Sequence, residues 1–123
     1  MRLLEYQAKE LFREYGIRLL DGRSSNSIEE ARKHAGEIGY PLMVKIQVPV
    51  GGRGKAGGVQ LCKNDDELEI RYPQVAGLVI KGEKARAVLL EKTADISKEL
   101  YLSLFLNRSK RCYRSEEHTS ELQ

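Results

Sequence analysis

The sequence predicts an α/β domain, and three observations carry that expectation. Two amphipathic helical segments, each with its own stop signal, fill most of the first forty residues. An apolar run from Leu42 to Val48 follows them and enters a loop with five glycines among the eight residues Gly51–Gly58. A second apolar run, Val59–Cys62, leaves that loop. Helix, short extended piece, helix, strand, loop and strand in this order is the pattern of mixed layers around one core.

Each element has a local cause. Residues Glu5–Tyr15 place Leu4, Ala8, Leu11, Phe12 and Tyr15 on one helical face, and Gly16 supplies the C-terminal stop. Ser27 with Glu30 forms a capping box, after which Ile28, Ala31, Ala35 and Ile38 line one face until Gly39 and Pro41 end the second helix. Asn64 with Glu67 starts a short third helix. Pro73 lacks an amide hydrogen and crowds the preceding turn, so a long uninterrupted helix is not expected there. Leu78–Lys81 and Ala85–Glu91 read as strands around the turn residues Gly82, Glu83 and Lys84. From Glu99 the pattern alternates strictly, with Leu100, Leu102, Leu104 and Leu106 on one face and Tyr101, Ser103 and Phe105 on the other. That predicts a strand with two largely apolar faces. Asn107–Lys110 make a turn, and Arg111, Cys112 and Tyr113 begin a return strand that is expected to stop almost at once.

At 123 residues the chain suits one modest domain or part of a larger one. Its net charge of +3 is unevenly placed: the last ten residues hold one Arg and three Glu, leaving 20 basic and 15 acidic side chains on residues 1–113. That balance suits an anionic small ligand. Nucleic acid is disfavoured, because the basic residues are scattered among acids and the six tyrosines are not interleaved with them as a stacking platform. Cys62 and Cys112 lie fifty positions apart in strand-like segments and read as buried thiols, not as a disulfide or metal pair. His34 and His118 have no carboxylate or cysteine at metal-ligand spacing and read as solvated side chains. No apolar run reaches the length of a membrane span, and MRLLEYQAKE has no signal-peptide core. A cytoplasmic protein without membrane or nucleic-acid partners is the expectation.

The chemistry is concentrated in Val44–Gly58, VKIQVPVGGRGKAGG. Glycines this dense let backbone amides converge on an anion without side-chain obstruction, and Lys45, Arg53 and Lys55 add positive charge. Gly52, Gly54 and Gly57 fit G-x-G-x-x-G, but a strand-like run follows where a dinucleotide fold needs a helix. A Walker A loop fails too, because Pro49 stands at its first glycine and Ala56 follows Lys55. Val59 completes a kinase-like glycine loop, yet no H-R-D or D-F-G follows. What remains is a strand, a basic glycine flap and a returning strand, able to close over a nucleotide's phosphates. A plain glycine-rich surface hairpin satisfies the same pattern.

Three segments in order, LLEYQAKELFREYGI, VKIQVPVGGRGKAGGV and LLEKTADISKELYLSLFLNRS, resemble the beta subunits of the succinate-CoA ligase (succinyl-CoA synthetase) family, over essentially residues 1–113. The resemblance implies an α/β ATP-grasp fold, of which this chain would be an N-terminal portion: a near-complete small lobe over residues 21–94, with 1–20 and 95–113 belonging to the start of a second lobe. By that likeness Lys45 contacts the nucleotide's phosphates, and Gly52, Arg53 and Gly54 form the covering loop. Glu91 sits at the adenine-side hinge, the Ala94 backbone lies beside the base, and Glu99 accepts hydrogen bonds from the ribose. No residue of this chain is implied as catalytic or as a metal ligand. The cofactor implied is ATP or GTP with Mg2+, whose ligands in the family lie beyond residue 113. The implied partners are an alpha subunit carrying a phosphohistidine, together with succinate and CoA, for the conversion of succinate, CoA and nucleoside triphosphate into succinyl-CoA, nucleoside diphosphate and phosphate. Pro49 and Val50 replace the His-Ala often seen before the glycines, and Arg18 and Leu20 replace prolines, which leaves other acids open, as in malate-CoA ligase. A non-enzymatic nucleotide- or nucleic-acid-binding module is the alternative from another class.

Residues 114–123, RSEEHTSELQ, match the in-frame translation of a common sequencing-library adapter. They are expected to be an artefactual tail outside the fold, lacking the apolar alternation to pair with the strand before it. The natural chain is then expected to continue past Tyr113.

Overall fold

The computed structural model describes residues 2–119, with side chains for all of these except 107 and 114–119. Three helices and eight strands follow in the order α1 (Glu5–Glu14), β1 (Gly22–Ser25), α2 (Ile28–Ile38), β2 (Leu42–Gln47), β3 (Val59–Cys62), α3 (Asp65–Ala76), β4 (Val79–Ile80), β5 (Glu83–Lys84), β6 (Ala87–Lys92), β7 (Leu100–Asn107) and β8 (Cys112–Thr119). The chain divides into two compact units, one ending at Thr93 and the other beginning at Ala94.

In the first unit β1, β6, β2 and β3 form an antiparallel sheet in that order. Alternation along β2 and β6 gives the sheet two different faces. Val44, opposite Leu90, and Ile46, opposite Val88, point into a core with Ala31, Ala35 and Ile38 of α2 and Leu68, Tyr72 and Val75 of α3. Leu42, Val44, Ile46, Val75 and Leu90 are fully buried there. Burial of each such side chain contributes roughly 1.5–3 kcal/mol, which makes this face the source of the unit's stability. Met43, Lys45, Gln47, Leu89 and Glu91 occupy the opposite face, where α1 docks.

The caps fall where the sequence puts them. Ser27 Oγ accepts from the Glu30 amide at 3.2 Å, and Gly39, at φ 85°, ends α2 with its amide on the Ala35 carbonyl. Asn64 Oδ1 accepts from the Glu67 amide at 2.9 Å. Pro73 does not interrupt α3, which runs unbroken to Ala76. Leu68, Tyr72 and Val75, all buried, span the proline, and their packing offsets the roughly 3 kcal/mol an interior proline costs. The turn expected at Gly82–Lys84 contracts to Lys81 and Gly82, both at positive φ, which suits a tight hairpin and lets Glu83–Lys84 pair as β5 with β4.

Residues 2–20 group with the first unit, because α1 is tied to the sheet. Its apolar stripe does not do the tying: no residue of α1 is buried, and Leu11, Phe12 and Tyr15 are exposed. Polar contacts do. Gln47, fully buried, gives its Nε2 protons to the Ile46 and Lys45 carbonyls, while its Oε1 accepts the Tyr6 amide at 3.0 Å, capping the helix from the sheet. His34 is also not simply solvated. Its Nδ1 lies 2.8 Å from the buried Ser25 Oγ.

The second unit contains the β7–β8 hairpin, with Leu100 opposite Thr119 and Asn107 opposite Cys112. Here the expectation that the tail would not pair is overturned, since β8 does not stop after Tyr113 but continues through residues 114–119. A ladder is made by backbone groups that every non-proline residue carries, so pairing does not require the apolar alternation that RSEEHT lacks. Residues 120–123 of the expected artefact lie outside the described residues. Cys62 is buried as expected, whereas Cys112 is exposed at the start of β8.

The base of the glycine loop is closed by Gly58. Its carbonyl accepts from the Ile46 amide at 2.7 Å, and its amide donates to the Arg53 carbonyl at 2.8 Å. A Cβ at Gly58 would lie 2.5 Å from the buried Ile46 Cγ2 and 3.0 Å from the Arg53 carbonyl oxygen, whereas one at Gly54 would meet nothing within 4 Å. Gly58→Ala is therefore expected to cost about 1–3 kcal/mol, and Gly54→Ala no more than about 0.5 kcal/mol. Urea denaturation of the two variants measures the difference, and coincident midpoints would contradict the packing described.

Candidate functional site

Five charged side chains from four segments converge on the sheet face opposite the core. Lys45, central in β2, directs its ammonium between two carboxylates, at 2.9 Å from Glu91 Oε1 and 3.2 Å from Glu5 Oε1. Glu91 stands on β6, paired in register with Met43, and is almost completely buried. Lys9 bridges the same two carboxylates, 3.1 Å from Glu5 and in direct contact with Glu91 Oε2. Arg53 reaches from the glycine loop to Glu5 Oε2 at 2.8 Å and donates from the same guanidinium to the Ile46 carbonyl at 3.0 Å. Three cations thus share two carboxylates.

The electrostatics follow from that count. Burial acts to raise the pKa of Glu5, but the charge of Lys45, the guanidinium of Arg53 and the charge of Lys9 outweigh it and bring the carboxyl down to about 2. For Lys45 burial acts in the direction of deprotonation, and the hydrogen bond it donates to Glu91 with the charges of both carboxylates overcomes it, so its pKa is raised. The group stays charged through the whole neutral range.

The loop is a chain of tight turns over this cluster. Gly52 and Gly57 both stand at φ 81°, a conformation that favours glycine. The Ala56 and Gly57 amides are turned inward onto the Gly52 and Gly54 carbonyls at 3.2 Å. A cleft of about 480 Å³ opens between this loop and the start of α1, with Arg2, Glu5, Pro49, Gly51 and Arg53 on its walls. Lys81 of the β4–β5 turn brings another ammonium beside Gly52, 3.9 Å from where a Cβ would stand. A larger groove of about 640 Å³ lies along α1 and β1 and shares Lys9 with the cluster.

Of the residues singled out from the sequence, the structure brings Lys45, Arg53 and Glu91 together, with Gly52 and Gly54 in the loop above. Glu91 is buried between two lysines. Ala94 and Glu99 belong to the second unit, where both are exposed. Glu5, Lys9, Gln47 and Lys81 were not singled out. Glu5 and Lys9 carry a readable signal, an acid four residues before a base on one helix, but nothing in the spacing points that pair at Lys45. Among the described residues no three His, Cys, Asp or Glu side chains gather as a metal site, and no helix is long and apolar enough to cross a membrane.

Residues 2–115 match the ATP-grasp domain family. The chain belongs to that family. The ATP-grasp chain is 46% identical, over 89% of its length, to the beta subunit of an ADP-forming succinate–CoA ligase of Aquifex aeolicus. It is 42% identical, over 92% of its length, to the corresponding subunit of Pyrobaculum arsenaticum. It spans 30% of the length of each of these relatives. Among solved structures it superposes with a TM-score of 0.84 and 25% identity on a dinucleotide-forming acetyl-coenzyme A synthetase of Candidatus Korarchaeum cryptofilum, in complex with coenzyme A, Ca-AMPCP and HgCl+, covering 97% of this chain and 54% of that one. The α/β ATP-grasp expectation is met.

Because the folded pKa of Glu5 lies below its ordinary value of 4.5, its charge stabilises the fold fully above that pH, and the contribution is lost as pH falls toward about 2. The full effect is about 3 kcal/mol. Urea unfolding of the protein and of Glu5→Gln should therefore show the parent more stable at pH 7 and the gap closing in acid. A gap that persists unchanged below pH 2 would contradict the charge cluster as its cause.

Proposed function

We propose that this chain supplies the phosphate-gripping part of the nucleotide site in the beta subunit of a nucleoside diphosphate-forming acid–CoA ligase, with succinate as the acid. The observation that carries the reading is the convergence of Lys45 with Arg53 of the glycine loop on one sheet face, in a chain 42–46% identical to two such subunits. Phosphoryl transfer needs charge neutralisation and alignment more than a protein nucleophile. Lys45 and Arg53 provide the charge, and the loop provides a cover that excludes water. Gly52 and Gly54 keep that cover free of side chains.

In this reading the nucleotide is ATP or GTP, an alpha subunit is the partner, CoA and succinate are the other substrates, and the setting is cytoplasmic. Ala94 and Glu99 contact the base and ribose, and Glu91 stands at the adenine end of Lys45. Magnesium neutralises the transferred phosphate in such chemistry. The described residues do not fit a magnesium site, since Glu91 and Glu5 are already committed to lysines and arginine. The likeness to an acetyl-coenzyme A synthetase favours, as a second reading, a CoA ligase acting on another acid.

Titration of the 15N-labelled chain with ATP tests the nucleotide part. Saturable shifts are expected in residues 44–58 and at Glu91. Lys45→Ala removes a charge-assisted contact worth about 1.5–3 kcal/mol, so its dissociation constant should rise tenfold or more, with Lys45→Arg partly restored. Equal binding of polyuridylate and ATP, or no effect of Lys45→Ala in a chain still folded by circular dichroism, would overturn the reading in favour of a polyanion-binding module.

A further inference from the structure

Resting on the nucleotide reading above, the geometry points to a role for Glu5: we propose that its carboxylate is an internal competitor for the phosphates, which a nucleotide must displace from Arg53 and Lys45. Glu5 touches three cations, Lys9 at 3.1 Å, Lys45 at 3.2 Å and Arg53 at 2.8 Å. A polyphosphate pairing with Arg53 and Lys45 needs the same guanidinium edge and the same ammonium protons. Both anions cannot hold them at once, so binding is an exchange of one anion for another.

Glu5, and not Glu91, is the exchangeable carboxylate. Glu91 sits in the middle of the sheet with 4% of its side chain exposed, and Lys9 and Lys45 take one oxygen each. Glu5 stands on the first residue of α1, its side chain is 20% exposed, and it borders the cleft beside the loop together with Arg53. Its Oε2 is buried and within ion-pair distance of Arg53 but has no aligned hydrogen bond. A polyphosphate offers Arg53 more acceptor oxygens and more negative charge than one carboxylate, which offsets the loss of that contact. Release of Glu5 would also raise the local charge: Lys9, Lys45 and Arg53 would then face Glu91 alone.

The same contact closes the loop onto the sheet. Arg53 joins the glycine loop to α1 only through Glu5, so exchange of Glu5 for phosphate would move the guanidinium's allegiance from the helix to the ligand. Glu5 is in this sense a binding determinant that acts through Arg53 and Lys45 and touches no substrate itself.

Inorganic tripolyphosphate, ATP and adenosine, titrated separately into the 123-residue chain and its Glu5→Gln variant, test the proposal. Glu5→Gln should tighten tripolyphosphate and ATP by a similar factor of about five to ten and leave adenosine unchanged. In the parent protein, tripolyphosphate should shift the Glu5 carboxyl 13C resonance and the Arg53 Nε resonance together, a readout that does not depend on the variant folding. Weaker or unchanged tripolyphosphate binding by a folded Glu5→Gln, or a Glu5 resonance that does not move at saturation, would overturn the exchange. Those results would leave the nucleotide reading standing if Lys45→Ala still weakens ATP. Loss of any Lys45 dependence would overturn both.

Discussion

An ammonium placed between two carboxylates on the face of a sheet constrains everything around it. Lys45 cannot leave Glu91 without stranding a buried charge on a central strand, and removal of one partner from such a pair costs far more than the pair contributes net. The register of β2 against β6 must therefore keep these residues on the same face, and α1 must come close enough for Glu5 and Lys9 to complete the neutralisation. Stability as such does not require the cluster. The apolar core lies on the other face, and a hydrophobic pair would satisfy the sheet at lower desolvation cost. What the ions fix is position: of Lys45, of Arg53 through Glu5, and of α1 itself.

The alternation of β2 is the structural economy behind this arrangement. Val44 and Ile46 build the core with α2 and α3, while Lys45 and Gln47 on the same six-residue strand build the site and hold the first helix. A slip of one residue would exchange the two sets, burying Lys45 among Ala31, Leu68 and Val75. The hydrophobic core thus acts as the register lock for the charged face. Four antiparallel strands with both helices of the core on one side leave the other face to α1, with a cleft between the start of that helix and the glycine loop.

Most of the first unit is legible from residue order, because its signals are local. Ser27, Asn64 and Gly39 mark helix ends by hydrogen bonds made within three or four residues, and the glycine loop announces itself by composition. The errors come where tertiary contacts overrule local ones. Pro73 is a helix breaker on its own, yet Leu68, Tyr72 and Val75 pack through it. The apolar stripe of α1 promised burial, yet a buried glutamine and three ion pairs set its docking, and nothing in periodicity separates those outcomes. The Lys45, Arg53 and Glu91 site was found through motif likeness. Glu5 is missed because its partners outside α1, Lys45 and Arg53, lie 40 and 48 positions away in sequence, a relation that no helical or strand period encodes. The pairing of β8 escaped for a different reason: backbone ladders accept sequences that side-chain patterning would reject.

The attachment of the glycine loop limits how it can move. Ile46 gives its amide to Gly58 and its carbonyl to Arg53, while its side chain is fully buried in the core on the far side of the sheet. One residue is therefore a rivet passing through the sheet, fastened to the core below and to both ends of the loop above. The base of the loop cannot lift without drawing that rivet out, whereas the tie from Arg53 to α1 is the one ion pair with Glu5 described above. The part of the loop not fastened to Ile46 is a short tip between Pro49 and Gly57, and in the proposed nucleotide site a tip of that length would cover a string of phosphates without spanning a whole nucleotide. Discrimination between bases would then fall, on that proposal, to parts of the protein that this flap does not reach.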